Sequence, residues 1–134
     1  MKRTRANNRR ADIRWTLSKE FTFEAAHRLP RHDGKCARLH GHSWKMLVEV
    51  ESPALHESGP KSGMVMDFGD IKAAVSPLVE SRLDHHYLNE TLELESPTSE
   101  KVAQWVFQAI LPKLPNLRAV TIHETCTSAC RYGR

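Results

Sequence analysis

Only 3 residues of the chain are cysteine, and the odd count excludes a framework in which every thiol is paired within the molecule. Cys36, Cys126 and Cys130 therefore read as thiols of a reducing compartment. Cys126 and Cys130 are close enough in sequence to share a metal, but their place beside a C-terminal strand favours reduced, structural thiols. Glycine is also sparse, with 6 residues in all. Gly34 and Gly41 are isolated, Gly59 and Gly63 punctuate the turn-rich run Ser58-Gly59-Pro60-Lys61-Ser62-Gly63, and no P-loop spacing occurs, which excludes a glycine-rich phosphate cradle. No apolar window approaches the length of a membrane span, and none follows the basic start as a secretory signal would require, so the expected location is the cytoplasm. Repeats and low-complexity tracts are missing too.

What remains is the composition of one small globular domain: 134 residues, 40% of them apolar. A net charge of +4 would ordinarily invite a nucleic-acid partner, but the charge is concentrated at the N-terminus. Lys2, Arg3, Arg5, Arg9, Arg10 and Arg14 against Asp12 give residues 1–14 a net +5, leaving −1 for the remainder. Residues 1–14 read as a basic, disordered extension without a catalytic role, and 15–134 as a single domain. Nucleic acid and membrane are not the expected partners.

The chemistry is concentrated in His27 and in Cys36-x3-His40-Gly41-His42. Side chains alternate across a strand, so in His40–Val50 both imidazoles fall on the face that carries Trp44, Met46, Val48 and Val50. The run Phe21–His27 alternates in the same way, with Phe21, Phe23, Ala25 and His27 on one face. The polar loop from Arg28 to Leu39 can fold it back as an antiparallel neighbour and bring a third imidazole to the first two. Three neutral imidazoles leave a fourth tetrahedral position for water or substrate, the mark of a catalytic rather than a closed structural zinc site. A thiol beside such a site points to an enzyme.

Elsewhere the periodicity is helical. Phe68, Ile71, Val75, Leu78, Val79 and Leu83 recur along one stripe, with Pro77 expected to kink or break it. A second helix runs from Thr98 to about Leu111 on Val102, Trp105, Val106, Ala109 and Ile110, with Thr98 as N-cap and Glu100 near the positive end of the dipole. Leu117–Thr125 reads as a third strand and Ala129–Tyr132 as a short fourth. The element order is therefore ββααββ.

Several segments carry a family resemblance: Phe21–Leu29, Cys36–His42, Gly63–Phe68, Leu83–His86, Pro97–Glu100 and His123–Cys126. In that order, from about Leu17 to Tyr132, the chain resembles the 6-pyruvoyltetrahydropterin and 6-carboxytetrahydropterin synthase family. The resemblance implies an α+β tunnelling fold (T-fold): an antiparallel sheet with two helices on one face, assembled as a homohexamer with active sites between subunits. The gap of Ala37, Arg38 and Leu39 between Cys36 and His40 is similar to that of the carboxy-forming, queuosine-pathway branch. The implied reaction is a zinc-dependent lyase conversion of 7,8-dihydroneopterin triphosphate to 6-carboxy-5,6,7,8-tetrahydropterin, with release of acetaldehyde and triphosphate. The pyruvoyl-forming synthase is the sister reading.

The resemblance also implies roles. His27, His40 and His42 would hold zinc, and Cys36 would accept a carbon-bound proton, which requires thiolate character. His85 would be its proton-transfer partner, with Asp84 beside it, although Asp84-His85-His86 alone reads as an exposed polar helix end. Glu124 has two assignments, a relay to His85 or an anchor accepting paired N–H bonds from the pterin. Thr98, Ser99 and Glu100 match a segment that encloses the pterin and read equally as helix-start residues. Arg28, Arg31, Lys35 and Arg38 are the cations nearest the metal loop, where a triphosphate tail needs positive charge. A zinc-stabilised binding module that recruits a polyanion through the basic head is the reading from a different class.

Overall fold

The two alternating runs pair through the polar loop between them. In the computed structural model, which describes residues 13–134, β1 (Trp15–His27) and β2 (His40–Ser52) are antiparallel, with His27 opposite His40 and Trp15 opposite Ser52. β1 thus begins well before Phe21, because β2 is long enough to pair with all of it. Residues 1–12 lie outside the described residues; of the segment read as a basic extension, Ile13 and Arg14 are described, and both are exposed.

β4 (Leu117–Thr125) adds antiparallel to β2, and β5 (Ser128–Gly133) pairs antiparallel with β4. One short element escapes the sequence reading. His86 and Tyr87 form β3, pairing in parallel with Ala25 and Ala26, so the sheet order is β3-β1-β2-β4-β5. Two residues carry no periodicity, and this strand exists because the turn before it docks on β1.

One face of the sheet is the core. Phe23 and Ala25 of β1, Trp44, Met46, Val48 and Val50 of β2, and Val120 and Ile122 of β4 are buried there, while alternate residues such as Glu24, Ser43 and Lys45 face outward. The helices cover the apolar face. α1 (Phe68–Leu78) is capped by Asp67, whose carboxylate accepts from the Gly69 N–H at 2.8 Å, and α1 packs against β1. Pro77 lies inside α1, and directly after it the chain widens into a π turn over Val79–Leu83 before the helix ends. Ile71, Val75, Val79 and Leu83 are buried as the stripe predicts, but Phe68 is exposed at the helix start, before α1 reaches the core.

A single turn, α2 (Leu88–Thr91), follows β3, and α3 (Ser99–Ile110) packs on β4 and β5. Val102, Val106 and Ile110 are its buried centre line. Ala103 and Phe107 are buried beside them, whereas Trp105 and Ala109 are half-buried, so the docked face is rotated slightly from the predicted stripe. Among the described residues no helix is long and apolar enough to cross a membrane.

Candidate active site

The β1–β2 register brings His27, His40 and His42 together, as strand alternation predicts. Nδ1 of His27 lies 2.9 Å from the Pro97 carbonyl oxygen, and Nδ1 of His40 lies 2.6 Å from that of Arg38. A carbonyl can only accept, so each Nδ1 carries the proton and each Nε2 keeps its lone pair. Trp44 stacks edge-on against His27 and His42, at ring-centroid distances of 5.0 and 5.5 Å, and donates its indole N–H to the Ala25 carbonyl at 3.1 Å. The rings are thus held in orientation from beneath.

Ligand atoms of His27, His40, His42 and Glu124 all lie within 4.8 Å of one another. His27 is fully buried, and burial is the main cause that pushes its pKa below the ordinary 6.5, so the neutral, ligating form is favoured. Its Nε2 and that of His42 are buried with no hydrogen-bond partner. Both approach Glu124 Oε1, at 2.9 and 3.3 Å, without the geometry of a hydrogen bond. Buried nitrogens without partners are costly, and a cation shared by these donors would satisfy them. The cluster can hold a metal ion, and its imidazole–carboxylate donor set suits divalent first-row ions.

Beside it lies a cleft of 510 Å³ whose walls include Glu24, Ser43, His42, His85 and Tyr87. Asp84 and His85 do touch: Asp84 Oδ1 is 3.0 Å from His85 Nδ1 and also accepts from the Glu24 N–H at 2.9 Å. The Glu24 N–H is the main cause that holds the Asp84 carboxyl below its ordinary 3.8, followed by the His85 contact. His85 N–H donates back to the Glu24 carbonyl, and His85 adopts φ +59°, a left-handed conformation uncommon for a residue with a Cβ. The dyad is therefore clamped to β1 through Glu24, three residues before His27.

Not every predicted residue joins these two groups. Cys36 is half-buried in the 3-10 turn Lys35–Ala37, and neither belongs to the ligand cluster nor lines the cleft. Glu124 faces the imidazoles and accepts from Ser99 Oγ at 3.3 Å on its other oxygen; among the described residues nothing bonds it to His85. Thr98 caps α3 by accepting from the Lys101 N–H at 3.2 Å, and Glu100 is exposed. Of the loop cations, Arg28 donates to the Ala37 carbonyl at 2.8 Å and Arg31 pairs with Glu95 at 2.9 Å.

Sequence reasoning misses three supports: the Pro97 carbonyl on His27, the Glu24 backbone on the dyad, and Asn89. The Asn89 amide accepts from the Arg28 N–H at 2.9 Å and donates to the Arg28 carbonyl at 2.7 Å, extending the end of β1. Backbone groups carry no residue signature, so only the asparagine left a mark in the sequence, and nothing local distinguishes it from a loop residue.

Comparison with known proteins follows the same outline. A family model described as 6-pyruvoyl tetrahydropterin synthase matches residues 16–134. A 6-carboxy-5,6,7,8-tetrahydropterin synthase of Synechocystis is 55% identical over 119 residues, covering 88% of this chain and 92% of that protein. Its Haemophilus influenzae namesake is 35% identical over 87% of this chain and 96% of its own. The solved structure of the Caenorhabditis elegans 6-pyruvoyl tetrahydropterin synthase superposes with a TM-score of 0.76 at 29% identity, covering 91% of this chain and 96% of that one.

Proposed function

The chain belongs to the 6-pyruvoyl tetrahydropterin synthase family, a family of T-fold lyases, and from that premise we propose that it is a zinc-dependent 6-carboxytetrahydropterin synthase. Its substrate would be 7,8-dihydroneopterin triphosphate, and its products 6-carboxy-5,6,7,8-tetrahydropterin, acetaldehyde and triphosphate, on the queuosine route. The observation that carries this reading is the pair of buried imidazole nitrogens without hydrogen-bond partners, His27 Nε2 and His42 Nε2, gathered with His40 and Glu124 in one ligand cluster. The 55% identity to a carboxy-forming relative supports that product over the pyruvoyl one.

His27, His40 and His42 would hold the zinc, since their Nε2 lone pairs are kept free by bonds at Nδ1 or by burial. When bound, the metal supplies Lewis-acid stabilisation of negative charge on the substrate's side-chain oxygens. Asp84 fixes the His85 ring through Nδ1, leaving Nε2 to deliver or take a proton in the cleft. Cys36 is the proposed acceptor of the carbon-bound proton. Its place in the Lys35–Ala37 turn, outside the ligand cluster and the cleft lining, supports a site shared between copies of a homohexamer, in which one protomer's thiol meets its partner's cleft. Glu124 is the carboxylate proposed to accept paired N–H bonds from the pterin, with Thr98, Ser99 and Glu100 enclosing it.

The test is mass-resolved product analysis with zinc-loaded protein and 7,8-dihydroneopterin triphosphate, run in parallel with Cys36→Ala. The expected result is carboxytetrahydropterin with acetaldehyde, reduced about 10²–10⁴-fold in the variant while zinc stays bound. Pyruvoyltetrahydropterin without acetaldehyde would move the assignment to the sister enzyme. Unchanged substrate from zinc-bound protein would remove both.

A further inference from the structure

Strand alternation carries Glu124 onto the imidazole face. Val120, Ile122 and Glu124 share one side of β4, the side that packs on Trp44 and its neighbours, and pairing with β2 reaches His123 opposite Lys45. The carboxylate therefore emerges next to His42, at the end of the core. We propose that Glu124 is a fourth protein ligand of the resting metal centre, with Ser99 holding its second oxygen, so that protein closes the site until substrate oxygens displace the carboxylate. The proposal rests on the metal-dependent reading above and gives Glu124 and Ser99 roles in it that differ from relay and pterin contact.

The geometry is that of ligand atoms gathered about a common point. Oε1 of Glu124 lies 2.9 Å from His27 Nε2 and 3.3 Å from His42 Nε2. Zinc bonds of about 2.0–2.2 Å separate tetrahedral ligands by roughly 3.3–3.6 Å, so the His42 spacing matches such an edge and the His27 spacing is shorter than one. A proton is a poor substitute for the cation. His27 already commits its proton to the Pro97 carbonyl, so its Nε2 meets Oε1 lone pair to lone pair. That contact is repulsive between bare acceptors and attractive around a shared cation.

Ser99 decides which oxygen is presented. Its hydroxyl lies 3.3 Å from Oε2, on the oxygen that does not face the imidazoles. The start of α3 thereby supports the centre from successive residues: Pro97 O orients His27, Thr98 caps the helix, and Ser99 orients Glu124. Such outer partners commonly set metal affinity as strongly as they set position. A carboxylate bound in the resting state would raise affinity and exclude adventitious anions, and its release would free a base beside the substrate.

The test uses the full chain, stripped and reloaded, as wild type, Glu124→Gln and Ser99→Ala. Zinc affinity is measured by chelator competition, and Co²⁺-loaded protein is titrated with azide while its visible spectrum is followed. Glu124→Gln is expected to raise the zinc Kd about 10–100-fold, and Ser99→Ala by a smaller factor. Azide should perturb the cobalt spectrum of Glu124→Gln at lower concentration than that of wild type. A Kd within about twofold of wild type overturns the proposal, and so does an equal azide response in the two proteins even if affinity falls. Should Glu124→Gln fail to fold, azide entering the wild-type centre as readily as it enters an open three-histidine site overturns it alone. Turnover by the same wild-type preparation is scored separately. Turnover with unchanged Glu124→Gln affinity removes the ligand role and leaves the lyase, whereas weakened affinity and azide entry without turnover keep the ligand role and remove the lyase. Wild type that binds neither ion overturns both.

Discussion

The ring of His27 shows how one residue can be wholly buried and still be ready for chemistry. Its Nδ1 is satisfied by Pro97, its face is packed on Trp44, and its Nε2 is left without a hydrogen-bond partner. A metal that binds the folded chain and not the unfolded one must then stabilise it. At a free zinc concentration 100 times Kd the gain is about 2.7 kcal/mol, or roughly 10 °C in Tm for a domain of this size. Differential scanning calorimetry with and without chelator should show that rise in wild type and none in His27→Ala. His27, His40 and His42 were legible as a set because alternation puts His40 and His42 on one face and antiparallel pairing across the loop adds His27. The acceptors behind the His27 and His40 rings were not, since a backbone carbonyl at Pro97 or Arg38 has no signature in the sequence.

At the scale of elements, α1 depends on a cap whose charge can be removed. The Lys61 ammonium, 2.7 Å from Asp67 Oδ2, is the main cause that holds the Asp67 carboxyl below its ordinary 3.8, followed by the Gly69 N–H. A carboxyl whose pKa is depressed by folding contributes stability above its unfolded value, and that contribution is lost as pH falls through the folded value. Asp67→Asn keeps a capping oxygen and loses the charge. Wild type should therefore melt above Asp67→Asn at pH 7, with the difference disappearing on titration below pH 3.8; a gap that persists unchanged in acid would contradict the assignment. Helix periodicity located α1 and α3 because Ile71, Val75, Val102 and Val106 recur at core spacing. It misjudged Phe68 and Trp105, which sit where the helix surface leaves the sheet, a boundary set by docking rather than by propensity. It also could not announce β3, which exists only through the contact of the His85–Tyr87 backbone with β1.

The whole molecule presents an asymmetry with a functional reading. The imidazole cluster and the Asp84–His85 dyad both belong to β1 and its partners, whereas Cys36 lies in the loop between the first two strands and is a member of neither. If sites are shared between copies, two inactive variants should complement each other. Cys36→Ala mixed with His85→Asn, the latter chosen because asparagine tolerates φ +59°, is expected to recover up to about one quarter of wild-type turnover after dissociation and reassembly, the fraction of sites with both residues intact on random mixing. Turnover that stays at the level of the separate variants would place each site within one chain. By itself the sequence determined the four longer strands, the two longer helices, the core face and the convergence of three imidazoles, because their periods and the loop between the first two strands are local properties of the chain. Only the tertiary structure decided that Glu124 turns to the imidazoles, that Asp84 contacts His85, and that Cys36 is not among the clustered ligands. Those relations depend on how β4, the turn after α1 and the metal loop dock on β1 and β2, and contacts between residues distant in sequence have no period to read.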